Sequence, residues 1–230
     1  MCGRFTLVTP RERLVSHFRL EHACELSPRY NVAPNQAVAA VRQSPAQGRE
    51  LVMLRWGLIP YWAEGLRGPY GMINARAETL AQRPAFRAAF ARRRCLIPAD
   101  GFYEWKTVHG RKQPYAIRKK DHSLFALAAL WERWQGDEQV VESCAIVTTV
   151  ANDLVRPLHE RMPVVLPPEH YDRWLDPAIH GPAVLQPLLS PATPEPLIVY
   201  PVSTRVNSPK NDDAECLMPL DEICAPRTTA

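Results

Sequence analysis

Met1-Cys2-Gly3-Arg4-Phe5 opens the chain, and trimming of the initiator methionine would leave a cysteine whose thiol and free α-amine share one carbon framework. Methionine is removed when the next residue is small, a condition that Cys2 followed by Gly3 meets. Reference pKa values of about 7.7 to 8.0 for an α-amine and about 8.5 for a thiol leave both partly deprotonated near neutrality. Each is then a nucleophile. An aldehyde forms an imine with the amine, and the neighbouring thiol closes it into a five-membered thiazolidine, a step that gains from proximity. Taken alone, Cys2 reads more simply as an ordinary small residue at a frayed terminus.

Five further polar residues sit in unusual company: Arg4, Asn74, Arg76, Glu104 and His159. Each has an ordinary reading as well. Glu104 beside Trp105 and Lys106 fits a solvated or salt-bridged strand residue, Asn74 fits a turn backbone, His159 is one of seven histidines, and the two arginines fit a charged surface. No G-x-x-x-x-G-K, G-x-G-x-x-G or H-E-x-x-H pattern occurs, which argues against nucleotide, dinucleotide and zinc-protease chemistry.

Composition narrows the setting. The 230 residues are enough for one large domain or two small ones, and no linker argues for two. Pro-rich stretches at 157–168 and 182–201 are interleaved with apolar residues and read as loops over a packed body. The longest apolar run, 124–131, is too short for a bilayer, and no signal-peptide core is visible. A soluble, cytoplasmic protein is expected. Six cysteines without a C-x-x-C pair argue against a disulfide framework or a zinc site, and no metal or cofactor is expected. The net charge of +4 points weakly to anionic partners, but 23 of the 28 basic residues are arginine, whose planar fork suits phosphate. Compositional bias would give the same count.

The elements that must position these residues follow from pattern. Thr9-Pro10-Arg11-Glu12 has the form of a capping box, predicting a short helix with Leu14, Val15 and Phe18 on one face. Residues 29–34 read as a polar loop, 36–42 and 50–56 as paired strands around a turn, and 84–92 as a helix with Phe86 and Phe90 at i and i+4. Residues 95–105 read as one strand interrupted by Pro98, with Asp100, Phe102 and Glu104 on one face and Tyr103 and Trp105 on the other. Further strands are predicted at 114–118, 123–131, 142–149, 163–166 and 197–202. Short helices are predicted after an Asn152 or Asp153 cap, at 168–175 and at 183–189. Strands in clusters without βαβ alternation predict an α+β fold with a mainly antiparallel sheet flanked by short helices.

Six stretches then take on joint meaning: the first five residues, Arg29-Tyr30-Asn31-Val32-Ala33-Pro34, Trp56-Gly57-Leu58-Ile59-Pro60, Ile73-Asn74-Ala75-Arg76-Ala77-Glu78-Thr79, the run from Arg94-Cys95-Leu96-Ile97-Pro98 through Gly101-Phe102-Tyr103-Glu104-Trp105, and His159-Glu160-Arg161-Met162-Pro163. In order and in register, they resemble the SRAP family, the SOS-response-associated peptidases or abasic-site processing proteins. The resemblance runs from residue 2 to about 221. It implies a single α+β domain with a curved, barrel-like sheet, whose N-terminal cysteine crosslinks to abasic sites in single-stranded DNA. It further implies Cys2 as nucleophile, Asn74 positioning the Cys2 end, Glu104 as general acid-base, and His159 promoting opening of the abasic sugar. Arg4, Arg76 and Arg161 are implied as phosphate ligands, and Trp62 and Trp105 as base-stacking or wedging residues. No membrane contact is implied, and a monomer is expected. The family name claims peptidase activity and imine chemistry permits weak lyase activity; both rank below crosslinking.

Two other classes stay in view. Class II glutamine amidotransferases also begin Met-Cys-Gly, and Arg67-Gly68-Pro69 resembles part of their Arg-Gly-Pro-Asp motif, although Tyr70 replaces the Asp and no Asn-Gly dipeptide is present. A non-catalytic binding module predicts salt-dependent binding without covalent product. Free aminothiol chemistry makes a sharper statement. The active protein is expected to be lighter than its gene product by one methionine on intact-mass measurement, and an uncleaved N-terminal tag is expected to abolish adduct formation. Full adduct yield from a tagged chain would overturn the role given to the Cys2 amine.

Overall fold

The apolar run at 124–131 leads into and forms the first part of a strand whose two faces are both covered there, which is why it lacks polar alternation. The computed structural model describes residues 2–44, 48–65, 71–193 and 196–221. That strand, β9 (Phe125–Gln135), belongs to a closed ring of five strands. The others are β3 (Ala37–Ser44), β4 (Gly48–Trp56), β6 (Arg94–Ala99) and β10 (Val140–Val150). Antiparallel pairs join β4 to β3, β3 to β6, β6 to β9 and β9 to β10. A short parallel pairing, Ser143 with Arg55 and Cys144 with Trp56, closes the barrel and makes it mixed. Small residues such as Ala126, Ala128, Ala129, Cys95 and Cys144 fill the tightly buried strands. Three short strands extend the barrel: β5 (Asn74–Arg76) parallel to β10, β11 (Arg161–Pro163) antiparallel to β10, and β12 (Val165–Leu166) antiparallel to β9.

Short helices cover the outside. The helix α2 (Pro84–Arg92) forms where Phe86 and Phe90 predict it and packs on β9, while α3 (Tyr171–Leu175) packs on β6. Buried Arg94 ties both down, donating to the carbonyls of Phe90, Ala91, Trp174, Asp176 and Ile179. It thereby satisfies carbonyls left open at the ends of two helices. Burial pushes its pKa down to about 10. The segment predicted as one helix at 183–189 is a single turn, α4 (Pro182–Leu185), followed by a 3-10 turn at Gln186–Leu189.

The second sheet carries the chain's beginning. Its order is β13 (Leu197–Pro201), β8 (Arg111–Lys119), β7 (Gly101–Val108), β1 (Phe5–Leu7) and β2 (Arg29–Val32), all antiparallel. Residues 29–32, predicted as loop, thus form an edge strand. The predicted single strand at 95–105 is two strands in different sheets. Pro98 is accommodated because β3 pairs with β6 only at Leu96 and Cys95, so no partner on that side needs its missing N–H. The break falls at Asp100, and Gly101 follows because a Cβ there would lie 2.9 Å from the Ile117 carbonyl oxygen. Asp100 also undoes the predicted capping box. Thr9 donates its hydroxyl to the Asp100 carboxylate, which also accepts the backbone N–H groups of Val8 and Thr9. The helix α1 (Arg11–Phe18) therefore begins after Pro10 without a side-chain cap.

The Asp100 carboxylate, 2 % exposed, is thus the anchor between the barrel's exit and the first strand. Asp100→Ala removes charge-assisted bonds and strands two backbone donors, so a loss of about 2–4 kcal/mol is expected in urea unfolding. A loss under about 1 kcal/mol would mean that water replaces the carboxylate there.

Candidate active site

Cys2 is fully buried and belongs to the main core with Phe5 and Trp56, whose rings lie 5.3 Å apart. Its position follows from the sheet: Tyr103 N–H donates to the Arg4 carbonyl at 3.0 Å, extending the β1–β7 ladder towards the terminus. From the barrel side, Asn74 begins β5 and donates Nδ2 to the Cys2 carbonyl at 2.8 Å. Trp56 secures the residue before it, donating Nε1 to the Ile73 carbonyl at 2.9 Å. Asn74 Oδ1 is buried and meets no donor among the described residues.

Glu104 lies in the middle of β7, opposite Tyr115 and 3 % exposed. Burial raises its pKa, while the charge of His159 works in the opposite direction. Burial, followed by the charge of Glu104, likewise holds the Cys2 thiol far above its usual range. Burial thus opposes ionisation of both groups, and an ionised Glu104 would oppose the thiolate further. His159 arrives from the turn that follows β10, just before β11. Asn152 Oδ1 accepts Val155 N–H at 3.0 Å, so the predicted Asn152 cap forms, although it caps a turn and not a helix. The turn continues through His159 N–H donating to the Val155 carbonyl at 3.1 Å, and Arg161 N–H then donates to His159 Nδ1 at 2.9 Å. With Nδ1 an acceptor, a neutral His159 carries its proton on Nε2.

Two grooves meet this centre. A groove of about 420 Å³ is lined by Arg4, Glu104, Trp105, Lys112, His159 and Asn207. A second, of about 360 Å³, is lined by Asn74, Trp62, Arg76, Arg83 and neighbouring residues. Cys2 sits between them, bonded to Asn74 of one and under the charge of Glu104 of the other. A more apolar hollow of about 400 Å³ near Phe125 and Tyr171 shares no residue with either groove.

A comparison with known families decides what this arrangement belongs to: the profile described as SOS response associated peptidase (SRAP) matches residues 1–209. The chain belongs to the SRAP family. It is 43 % identical over 222 residues to the abasic site processing protein YoaM of Bacillus subtilis, covering 94 % of this chain and 97 % of that one. It is 32 % identical over 231 residues to the abasic site processing protein YedK of Escherichia coli, covering 96 % and 100 %. A crystal structure of a Bacteroides thetaiotaomicron protein superposes with a TM-score of 0.85 at 25 % identity, covering 95 % of this chain and 99 % of that one. The amidotransferase-like Arg67-Gly68-Pro69 lies outside the described residues.

Within the SRAP fold the expected site residues separate into two groups. Cys2, Asn74, Glu104, His159, Arg4 and Trp105 come together, and Arg76 with Trp62 borders the adjoining groove. Trp62 is 47 % exposed and Arg76 is exposed. Arg4 and Arg161, expected as phosphate ligands, spend donors inside the protein. Arg4 donates to Asn31 Oδ1 at 2.8 Å and to the carbonyls of Val206 and Asn207 at 2.7 and 3.2 Å, with its guanidinium 6.0 Å from the Trp105 ring centre. Arg161, 9 % exposed, grips both oxygens of Glu78 at 3.1 and 2.9 Å and the Thr148 carbonyl at 2.6 Å.

Sequence reasoning gave no role to Lys112, Asn207, Asn31 or Glu78. Asn207 Oδ1 accepts the Trp105 indole N–H at 2.7 Å, fixing the ring at the groove wall. Lys112 enters through the β7–β8 hairpin register, in which Thr107 pairs with Lys112 three steps from the Glu104–Tyr115 pair. That register was the available signal. Nothing local pointed to Asn207, which is brought in from far along the chain.

The raised pKa of Glu104 has a thermodynamic consequence. A carboxyl whose pKa is higher folded than unfolded contributes stability below the unfolded value and loses it as pH rises through the folded one. Glu104→Gln lacks that loss. Its melting temperature relative to wild type is expected to increase as pH rises from about 4, the unfolded carboxyl value, through the range in which the folded carboxyl ionises. A difference constant across that range would remove burial as the source of the shift.

Proposed function

We propose that the processed chain, beginning at Cys2, captures abasic sites in single-stranded DNA by closing a thiazolidine between its amine, its thiol and the C1′ aldehyde of the sugar. The observation that carries this reading is the placement of Cys2 between Asn74 and Glu104, with His159 on the same groove. The names of the relatives support the substrate.

An abasic deoxyribose rests as a closed hemiacetal. His159 gives its Nε2 proton to the ring oxygen as the C1′–O4′ bond breaks, and the C1′ hydroxyl proton returns through water to Nε2, so that O4′ leaves as a hydroxyl and C1′ becomes the aldehyde. The Cys2 amine adds to the aldehyde carbon to give a carbinolamine. Glu104 then delivers a proton to the departing hydroxyl and, as water leaves, takes back the proton lost from nitrogen, which gives the neutral imine. Sulfur adds to the imine carbon, its proton passes through Glu104 to nitrogen, and the ring closes. Aldehyde and aminothiol give thiazolidine and one water. A thiol held neutral fits this order, because the amine must react first. Saturation of the C1′ carbon removes the electron sink for strand cleavage, so the adduct shields the lesion. The peptidase chemistry of the family's description ranks below this capture.

Phosphate contact falls to exposed Arg76, with Arg83 in the same groove and Lys112 in the other. Arg4 lines its groove and retains N–H donors beyond its three internal bonds. Arg161 acts through position. Trp62 and Trp105 offer flanking bases a stacking face in the two grooves.

Denaturing gels of processed protein with abasic oligonucleotide test this reading. Wild type is expected to give a heat-stable adduct without reductant, whereas Cys2→Ser needs borohydride trapping and cleaves more strand. An equal, reductant-free adduct from the serine variant would exclude sulfur from the linkage. Glu104→Gln is expected to slow single-turnover capture by about 10²- to 10⁴-fold with little change in DNA affinity. Arg76→Ala is expected to lower the single-strand salt slope by about 0.7 while leaving the rate at saturating DNA intact. An unchanged slope would remove Arg76 from phosphate contact.

A further inference from the structure

We propose that Glu78 is a positioning residue for His159, acting through the Arg161 side chain to fix the imidazole's orientation and its Nε2–H tautomer. The inference rests on the reading in which His159 helps open the abasic sugar.

The geometry is a chain of contacts across one strand. On one side of β10, Arg76 pairs with Thr148, and the 3-10 turn Ala77–Thr79 follows at once, bringing Glu78 to the strand's end. On the other side, Val150 pairs with Arg161. Arg161 reaches back over that end. Its two terminal nitrogens take the two carboxylate oxygens of Glu78 at 3.1 and 2.9 Å, and one also takes the Thr148 carbonyl at 2.6 Å. A two-bond fork fixes a guanidinium in plane as well as in place. The same residue's backbone N–H donates to His159 Nδ1 at 2.9 Å. The ring is therefore held by an amide of a residue anchored twice, in its backbone by the pairing with β10 and at the far end of its side chain by Glu78.

The grip is strong for a residue at the surface. Partial burial pushes the Glu78 carboxyl up, but the Arg161 fork outweighs it and holds the group below its usual range. Arg161 is buried, so loss of Glu78 leaves a guanidinium charge without its counterion, and the side chain must move to find water. Passed to the backbone at the start of β11, that movement would loosen the amide that holds His159 Nδ1 and let Nδ1 take the proton that belongs on Nε2.

Two substrates separate this role from a general loss of structure. One oligonucleotide carries a natural abasic site, which must open before it reacts. The other carries an acyclic aliphatic aldehyde at the same position, which has no ring to open. With processed full-length protein, Glu78→Gln is expected to slow capture of the natural site by about tenfold or more, within the range that loss of an acid-base group costs. Capture of the acyclic aldehyde should stay close to wild type, which also shows that the variant is folded. Arg161→Lys keeps the positive charge and the backbone N–H but cannot form the fork, and should show the same selectivity. In ¹⁵N spectra, His159 should lose its single Nε2–H signature in both variants.

His159→Ala serves as the reference. If it is selective for the closed sugar while Glu78→Gln and Arg161→Lys are not, the positioning role is overturned and the proposed function stands. Equal losses on both substrates in the Glu78 and Arg161 variants would reduce the ion pair to structural support, which also overturns the role. If His159→Ala shows no selectivity, the ring-opening reading itself falls, and the role of Glu78 falls with it.

Discussion

A chain end frays unless something holds it, because fixing each residue costs about 1–2 kcal/mol of backbone entropy that few neighbours are present to offset. In this fold the second residue carries the candidate nucleophile, so immobilising the terminus is the constraint that the rest of the structure meets. The first strand lies between β2 and β7 instead of on an edge. Asp100 accepts from Val8 and Thr9, Asn74 holds the Cys2 carbonyl, and Arg4 reaches three separate acceptors. Each of these anchors comes from a different part of the chain. The barrel provides the rigid side of the clamp, and the five-stranded sheet provides the other.

Burial does chemical work once the terminus is fixed. A carboxyl and a thiol placed together away from water are both pushed towards their protonated forms, which suits the dehydration and ring closure proposed above. The cost is a carboxyl in a place that opposes its ionisation. Basic residues are divided between two tasks. Arg94 and Arg161 are internal ties that satisfy carbonyls and a carboxylate, whereas Arg76, Arg83 and Lys112 border the grooves. The abundance of arginine in the sequence therefore reports structural bonds as well as the basic borders of the grooves.

Local pattern was legible where local forces decide. The Phe86–Phe90 spacing marks α2 to its ends, and the continuous apolar run marks β9 because both of its faces are covered. Family motifs placed Cys2, Asn74, Glu104 and His159, which do converge. Long-range partners were not legible. Pro98 looked like the break in its strand, yet the break comes two residues later, where Asp100 finds the first strand and Gly101 passes under Ile117. Thr9 had the spacing of a helix cap, but a carboxylate ninety-one residues away competes for its hydroxyl. Barrel closure rests on two parallel residue pairs that no sequence period announces. Asn207 and Glu78 act through partners set by topology, and motif reading could quote Glu78 without giving it a task.

The bond between Arg4 and the Val206 carbonyl joins residues 202 positions apart, and Trp105 meets Asn207 in the same turn. This wall of the groove cannot exist until nearly the whole chain has left the ribosome. At about 5–20 residues per second, that leaves roughly 10–40 s between the emergence of Cys2 and completion of its surroundings. Methionine trimming on a growing chain would expose the aminothiol during that interval, with neither Trp105 fixed beside it nor Arg4 in place. Under the chemistry proposed above, a small aldehyde could then cap it as a thiazolidine. On that reading the order of synthesis sets a race between folding and premature capture, and a chain that loses it ends folded, intact and already spent.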